Sequence, residues 1–344
     1  MTDPSIWPSL LSRLTAGESL TVGEAAEAMR AIMRGDATAA QTAGFLMALR
    51  TKGETVEELE GLASTALDFA QPVRAPSGAV DTCGTGGDRA GTFNISTLGA
   101  IVCAGAGVPV AKHGNRAASS RCGSADLLEA LGVRIDLGPE GVERCLEEAG
   151  IGFMFAPVFH PAAAHAAGVR RELGIPTFFN FLGPLTNPAR PGSQIVGVSD
   201  PRMLPLVAEV LHRRGVRAMV FRSHDGLDEL TTSGLSAVLR TGGGEITGFD
   251  LEPREAGLPR SEPGDLAGGD VALNVAIARA VLGGAAGPAR DVVLLNAAAA
   301  LLVSERAESL EAGVEIAAES IDSGAAQRVL DRWVAASQQL GQSR

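Results

Sequence analysis

Apolar residues recur three and four positions apart through the first part of the chain. LLSRLTAGESL, TVGEAAEAMRAIMRG, TAAQTAGFLMALRTKG and VEELEGLASTALDFA each gather their apolar side chains on one helical face, so the spacing predicts a helical unit over 1–72. Thr21 followed by Glu24 is the S/T-x-x-E signature of a capped helix start. QPVRAPSG, residues 71–78, is a proline-containing polar break and marks the boundary with a second unit over 73–344.

From Ala79 the period changes. AVDTC, VPVAK, GFMFAP, QIVGVS and AMVFRS are short apolar runs that suit buried strands. LGAIVCAGAG, SADLLEALG, EGVERCLEEAG and PRMLPLVAEVLHRRG are helical stretches between them. Strand–helix alternation predicts the α/β class, with a mostly parallel central sheet flanked by helices. SAVLRT and EITGFD predict a small antiparallel excursion, and the Ala-rich chain from about Asp270 is helical again. HPAAAHAAGVRRELGIPTFFNFLGPLTNP, residues 160–188, breaks the alternation and reads as an inserted helix and loop that returns to the helical unit.

Composition narrows the function classes. The 344 residues are 45% hydrophobic, enough for a sizeable core. Aromatics are 4% with no Tyr, so platforms for stacking bases are few. The formal net charge of −11 opposes general attraction to nucleic acid or anionic membranes, and an anionic substrate needs a local basic pocket. Cys83, Cys103, Cys122 and Cys145 are too scattered for a zinc or redox pair and read as buried apolar residues. MTDPSIWPSLLSRL has no basic start before an apolar run, and no apolar run reaches the roughly 18 residues of a membrane span, so the expected location is the cytoplasm.

Four stretches carry chemistry. GTGGD, residues 84–88, follows a predicted strand and so lies at the carboxyl edge of the sheet, where open α/β sheets bind ligands. Its glycines permit positive φ and bare N–H groups, the makings of an anion nest. It is neither a Walker A loop nor G-x-G-x-x-G, and a tight turn alone would explain some of its glycine. NIST, residues 94–97, opens the next helix, where free N–H groups favour anions, although Asn and Ser also serve as plain caps. AKHGNRAASSRCGSADLLEALG, residues 111–132, gathers Lys112, His113, Asn115, Arg116, Ser119, Ser120 and Ser124 into the basic pocket that the acidic chain requires. HDGLDELTTSG, residues 224–234, offers Asp228 and Glu229 as adjacent hard oxygen donors at the same edge, suited to Mg²⁺ shared with a diphosphate.

GTGGD, NIST, KHGNR with SS and GSADLLEALG, VRRELG with NFLGPLTNP, and GLDEL follow one another in the order that resembles the anthranilate phosphoribosyltransferase family. The resemblance runs nearly the whole chain. It implies a nucleoside-phosphorylase-like fold, a small helical domain plus a large α/β domain, in a homodimer joined through the helical domains. It implies anthranilate and phosphoribosyl diphosphate as substrates and Mg²⁺ as cofactor, with no nucleic-acid or membrane partner. It also implies phosphoribosyl-diphosphate contacts from Gly84, Gly87, Asp88, Thr92, Asn94, Ile95, Ser96, Thr97, Lys112, His113, Gly114, Asn115, Arg116, Ala117, Ala118, Ser119, Ser120 and Ser124. Anthranilate would meet Gly84, Asn115 and Arg170, and Ser96, Asp228 and Glu229 would hold the metal. The one departure is Thr82-Cys83 before the glycines, where the family often has an apolar pair. No catalytic base is assigned, and His113 is the sole candidate near the centre. Two readings compete: a pyrimidine nucleoside phosphorylase, which would need neither the acidic pair nor KHGNR, and a nucleic-acid-binding relative, which should show a basic groove.

Overall fold

The computed structural model describes residues 6–117 and 121–339. Four helices come first: α1 (Ile6–Thr15), α2 (Val22–Arg34), α3 (Ala39–Lys52) and α4 (Val56–Asp68). Three of them start the same way. Thr21, Thr38 and Thr55 accept from the third helical N–H, while Glu24, Gln41 and Glu58 reach back to the cap. Helices α2 and α4 pack closely because Gly61 has no side chain; a Cβ there would sit 2.3 Å from the Val22 carbonyl oxygen. Glu58 is fully buried yet satisfied, accepting from Leu20 N–H, Thr55 N–H and the Lys52 ammonium at 3.0 Å.

The α/β part runs β1 (Val80–Gly84), α5 (Ile95–Gly105), β2 (Val110–Gly114), α6 (Ser124–Ala130), α7 (Pro139–Ala149), β3 (Ile151–Phe155), α8 (Ala156–Phe159), α9 (Ala164–Leu173) and α10 (Phe179–Leu182). It continues with β4 (Ser193–Gly197), α11 (Met203–Arg213), β5 (Arg217–Ser223), β6 (Ser236–Arg240) and β7 (Thr247–Leu251), then α12 (Val271–Leu282), α13 (Pro288–Val303), α14 (Leu310–Asp322) and α15 (Ala325–Gln339). The strands form one sheet in the order β3-β2-β1-β4-β5-β6-β7. The first five are parallel and the last two antiparallel. The expected mostly parallel sheet with an antiparallel excursion is therefore present. Strand order reverses direction between β1 and β4, and such a switch point opens a crevice at the carboxyl ends.

Two apolar cores cover the two faces of the sheet. One gathers α5, α7, α13 and α15 against β1–β3. The other is continuous from the N-terminal helices through Phe178, Phe181 and Leu185 to α11 and the outer faces of Val196, Val198 and Val220. Helix α9 packs against α2 and α3. Ion pairs Arg50–Asp200 (3.2 Å), Arg213–Glu57 (2.9 Å) and Arg214–Glu60 (3.2 Å) cross the same junction. Among the described residues no helix is long and apolar enough to cross a membrane.

Asn296 on α13 is fully buried, and its amide accepts from Leu230 N–H and donates to the Leu230 carbonyl. Asn296→Ala would leave both backbone groups unpaired inside the core. It should cost about 2–4 kcal/mol and lower the calorimetric Tm by several degrees, whereas a melt within a degree of wild type would show that water replaces the amide.

Candidate active site

The glycines at the ends of β1 and β4 create the site. A Cβ on Gly84 would lie 2.4 Å from Asp228 Oδ2, and one on Gly197 would lie 1.6 Å from the Asp228 carbonyl oxygen. The Asp228 segment thus crosses directly over the switch point, which side chains on either strand would block. Asn296 grips the next residue but one, and Ser223 Oγ donates to the Glu229 carbonyl at 2.5 Å.

Two carboxylates meet here, with Asp88 as a neighbour. Gly86 N–H donates to Asp228 Oδ2 at 2.6 Å, and Ser96 N–H donates to Glu229 Oε1 at 3.2 Å. Burial, with the neighbouring Asp88 charge, pushes Asp228 up to about 7. Burial, with Asp228, pushes Glu229 up to about 8. Lys112 is buried beneath them: its ammonium donates to the Thr82 carbonyl and lies 3.5 Å from Ser96 Oγ. Burial lowers its pKa, against the opposing pull of Asp81 and Glu229. Among the described residues no three His, Cys, Asp or Glu side chains converge as a self-sufficient metal cage. The residues present nevertheless fit Mg²⁺, which favours oxygen donors, keeps several waters and takes one or two carboxylates plus substrate phosphates. Asp228 and Glu229 are paired acids whose negative charge is disfavoured until a cation arrives.

The loops around this pair are built largely of backbone. Gly86 and Gly87 adopt φ of +70° and +84°, which side chains rarely tolerate. The Asp88–Thr92 stretch is closed by Gly268 N–H donating to the Gly91 carbonyl and by a bridge between Thr92 and Ala267. Helix α5 starts at Ile95, ahead of the apolar run LGAIV, so Ser96 and Thr97 sit in its first turn. Asn94 occupies the cap position without capping: its amide donates to the Cys122 carbonyl instead, and among the described residues its Oδ1 is buried without a partner, as is Thr97 Oγ1. The hydroxyls that exceed a cap's needs therefore are not spent on one. Ile95 is fully buried and offers only its backbone.

Beyond β2 the Arg116 guanidinium pairs with Asp126 at 2.8 Å and Glu129 at 2.9 Å and covers the Phe155 ring. Asp126 also accepts from Ala117 N–H and Gly123 N–H, which ties both residues to the start of α6. Asn115 is exposed, with its carbonyl accepting from Ala125 N–H. Ala118, Ser119 and Ser120 lie outside the described residues.

Arg170 and Arg171 part company as adjacent helical residues must. Arg171 is exposed, whereas Arg170 is partly buried with its guanidinium 4.9 Å from the Phe179 ring centre. Burial lowers its pKa, and no carboxylate among the described residues pairs with it. His113 Nδ1 lies 3.0 Å from the Gly183 carbonyl, and its ring centre is 5.0 Å from that of His160. Among the described residues both Nε2 atoms are buried without partners. Burial depresses His113 to about 4 and His160 to about 3, so both rings are neutral at pH 7.

Several contributors had no motif of their own in the sequence. Asp81 is fully buried and accepts from His113 N–H, which fixes β2 under the site; Asn187, within the NFLGPLTNP motif, supports it by donating to the Ala111 carbonyl. His160, Gly197, Ser199 and Asn296 come from separate stretches. For Asp81 a signal was present: a carboxylate inside a run meant to be a buried strand needs a reason.

A switch-point crevice with paired acids, glycine-rich backbone and a helical cap defines a class of group-transfer enzyme. Residues 8–70 match the helical bundle domain of a glycosyl transferase family and residues 77–327 match its a/b domain. The anthranilate phosphoribosyltransferase of Saccharopolyspora erythraea is 52% identical over 97% of both chains, and that of Acidothermus cellulolyticus is 56% identical over 98% of this chain and 96% of its own. The crystal structure of the Thermus thermophilus anthranilate phosphoribosyltransferase superposes with a TM-score of 0.91 at 45% identity, covering 95% of this chain and 99% of that one. The Saccharomyces cerevisiae enzyme, solved in complex with PRPP and Mg, gives 0.90 at 29% identity, covering 98% and 99%. The chain belongs to the anthranilate phosphoribosyltransferase family.

The acidic pair sets a pH dependence. Asp228 and Glu229 hold protons in the folded state that the unfolded chain has released, so stability falls as pH rises from about 4 through about 7 and 8. Without divalent cations, Asp228→Asn should gain on wild type across pH 4.5–8.5, by on the order of 1–4 kcal/mol at the upper end, in thermal melts. A mutant that loses ground as pH rises would contradict the buried-acid assignment.

Proposed function

We propose that this chain transfers the phosphoribosyl group of phosphoribosyl diphosphate to the amine of anthranilate, a step of tryptophan biosynthesis. The observation that carries this reading is the meeting of the buried Asp228–Glu229 pair with the glycine loop and the α5 N-terminus at one strand edge. In this reading Gly84, Gly87, Asp88, Thr92, Asn94, Ser96 and Thr97 surround the phosphoribosyl diphosphate. Lys112 and the loop through Ser124 complete the enclosure. Ser96, Asp228 and Glu229 hold Mg²⁺, which neutralises charge on the departing diphosphate. The free N–H groups of the loop and of the first α5 turn are fixed before the bond breaks, so they stabilise that charge without rearranging.

The bond from the anomeric carbon to the diphosphate oxygen breaks with its electron pair leaving on the diphosphate, and the anthranilate nitrogen forms the new bond and then releases a proton to water. That amine is neutral and nucleophilic at pH 7, so positioning rather than a strong base is what the chain must supply. His113, at about 4, is a poor proton acceptor there and serves as a neutral wall of the site beside His160. Arg170 clamps the anthranilate carboxylate through its planar fork, with Asn115 and Gly84 beside the ring. The stacked, carboxylate-free state of Arg170 supports that role. A homodimer through the helical domain and a cytoplasmic location belong to the same reading.

Arg170→Ala should raise the KM for anthranilate by about 10–100-fold, leave the KM for phosphoribosyl diphosphate nearly unchanged, and be matched by no such effect of Arg171→Ala. Steady-state fluorescence kinetics decide this, and an unchanged anthranilate KM removes the clamp. Asp228→Asn combined with Glu229→Gln should cut turnover sharply and raise the Mg²⁺ needed for half-maximal rate. Activity within about twofold of wild type would take the metal away from these residues.

A further inference from the structure

The glycine loop has a second anchor, independent of the acidic pair. Ser199 follows β4 by two residues, across the switch point from the loop. Its N–H donates to Thr85 Oγ1 at 3.0 Å, and its hydroxyl donates to the Gly86 carbonyl at 2.7 Å. With that proton committed, the Thr85 hydroxyl has two acceptors in reach, Ser199 Oγ at 3.1 Å and the Gly86 carbonyl at 3.3 Å, the latter a longer contact than the one from Ser199. Thr85 N–H donates in turn to the Gly197 carbonyl at 2.9 Å. These bonds form a closed ring between the loop and the end of β4.

Ser199 is itself a fixed post. Arg222 donates to its carbonyl at 3.1 Å, and Val198 N–H is tied to the Phe221 carbonyl of β5. Asp200, the next residue, is held by Arg202 at 2.7 Å and by Arg50 of α3 at 3.2 Å. Outside that ring, Gly86 N–H donates to Asp228, a carboxylate that the proposed reaction recruits for the metal, and the far end of the loop is closed at Gly91 and Thr92.

The ring also aims a donor. In a trans peptide the carbonyl of one residue and the N–H of the next point in opposite directions. No cis peptide occurs among the described residues, so pinning the Gly86 oxygen toward Ser199 turns the Gly87 N–H away from β4. Among the described residues that N–H has no acceptor. We propose that Ser199 is a positioning residue: its hydroxyl pins the Gly86 carbonyl and thereby aims the Gly87 amide at a phosphate of the substrate. This rests on the phosphoribosyl reading given above.

The test is calorimetric titration of phosphoribosyl diphosphate into wild type, Ser199→Ala and Ser199→Thr with Mg²⁺ present, with thermal melts and anthranilate KM measured in parallel. Ser199→Ala should weaken phosphoribosyl-diphosphate binding about 5–20-fold, as expected for two lost hydrogen bonds, while its melt and its anthranilate KM stay near wild type. Ser199→Thr, which keeps the hydroxyl, should restore affinity to within about threefold. Affinity of Ser199→Ala within twofold of wild type overturns the inference alone. So does a loss matched by an equal rise in anthranilate KM and a lowered melt, which marks a purely structural role. A wild-type chain that binds no phosphoribosyl diphosphate overturns the reaction assignment and this inference with it.

Discussion

Everything at the site depends on how closely one acidic segment crosses the ends of two strands. Asp228 passes over Gly84 and Gly197 at distances that leave no room for a Cβ on either. That passage brings a carboxylate into the switch-point crevice and shields it from water, so its charge is costly until a cation or a proton offsets it. The surrounding structure keeps the segment there at some expense in polar burial: Asn296 brackets Leu230, and Ser223 holds the Glu229 carbonyl.

The distribution of positive charge follows from that arrangement. A chain of net charge −11 has to attract a multiply phosphorylated substrate. Yet Arg116 is neutralised by Asp126 and Glu129, and the Lys112 ammonium is buried toward Thr82 and Ser96. Lys112 thus balances the acids from below rather than standing open as a surface charge. What faces the crevice is backbone N–H from the glycine loop and the start of α5, together with acids suited to a divalent ion. The helical unit contributes from the other side. Its core is continuous with one face of the sheet through Phe178 and Leu185, so Arg170 on Phe179 rests on the same packed layer as β4.

Most of the architecture was legible because each element obeys its own period. The five parallel strands and the two antiparallel ones fall on the apolar runs, and the Thr21–Glu24 cap is present as expected. Helix α5 opens at NIST, as the sequence reading has it; hidden from that reading was that Asn94 leaves the cap unmade and donates to the remote Cys122 carbonyl. Motif residues were legible as a set. Their partners were not, because Gly197, Ser199 and Asn296 lie far from the motifs in sequence and act only through the sheet order. The pairing of Arg116 was hidden for a related reason: Asp126 and Glu129 were read as helix residues, and only the fold brings them under that guanidinium.

The central claim is that the Asp228–Glu229 pair and the glycine loop jointly hold a metal–diphosphate complex at the switch point. A crystal structure of the chain grown with phosphoribosyl diphosphate and Mn²⁺ as an anomalous stand-in tests it most directly. The account predicts an anomalous peak within coordination distance of the acidic pair, with diphosphate oxygens against the Gly86–Asp88 backbone. A diphosphate bound away from that loop, or an ion that ignores both carboxylates, would contradict it.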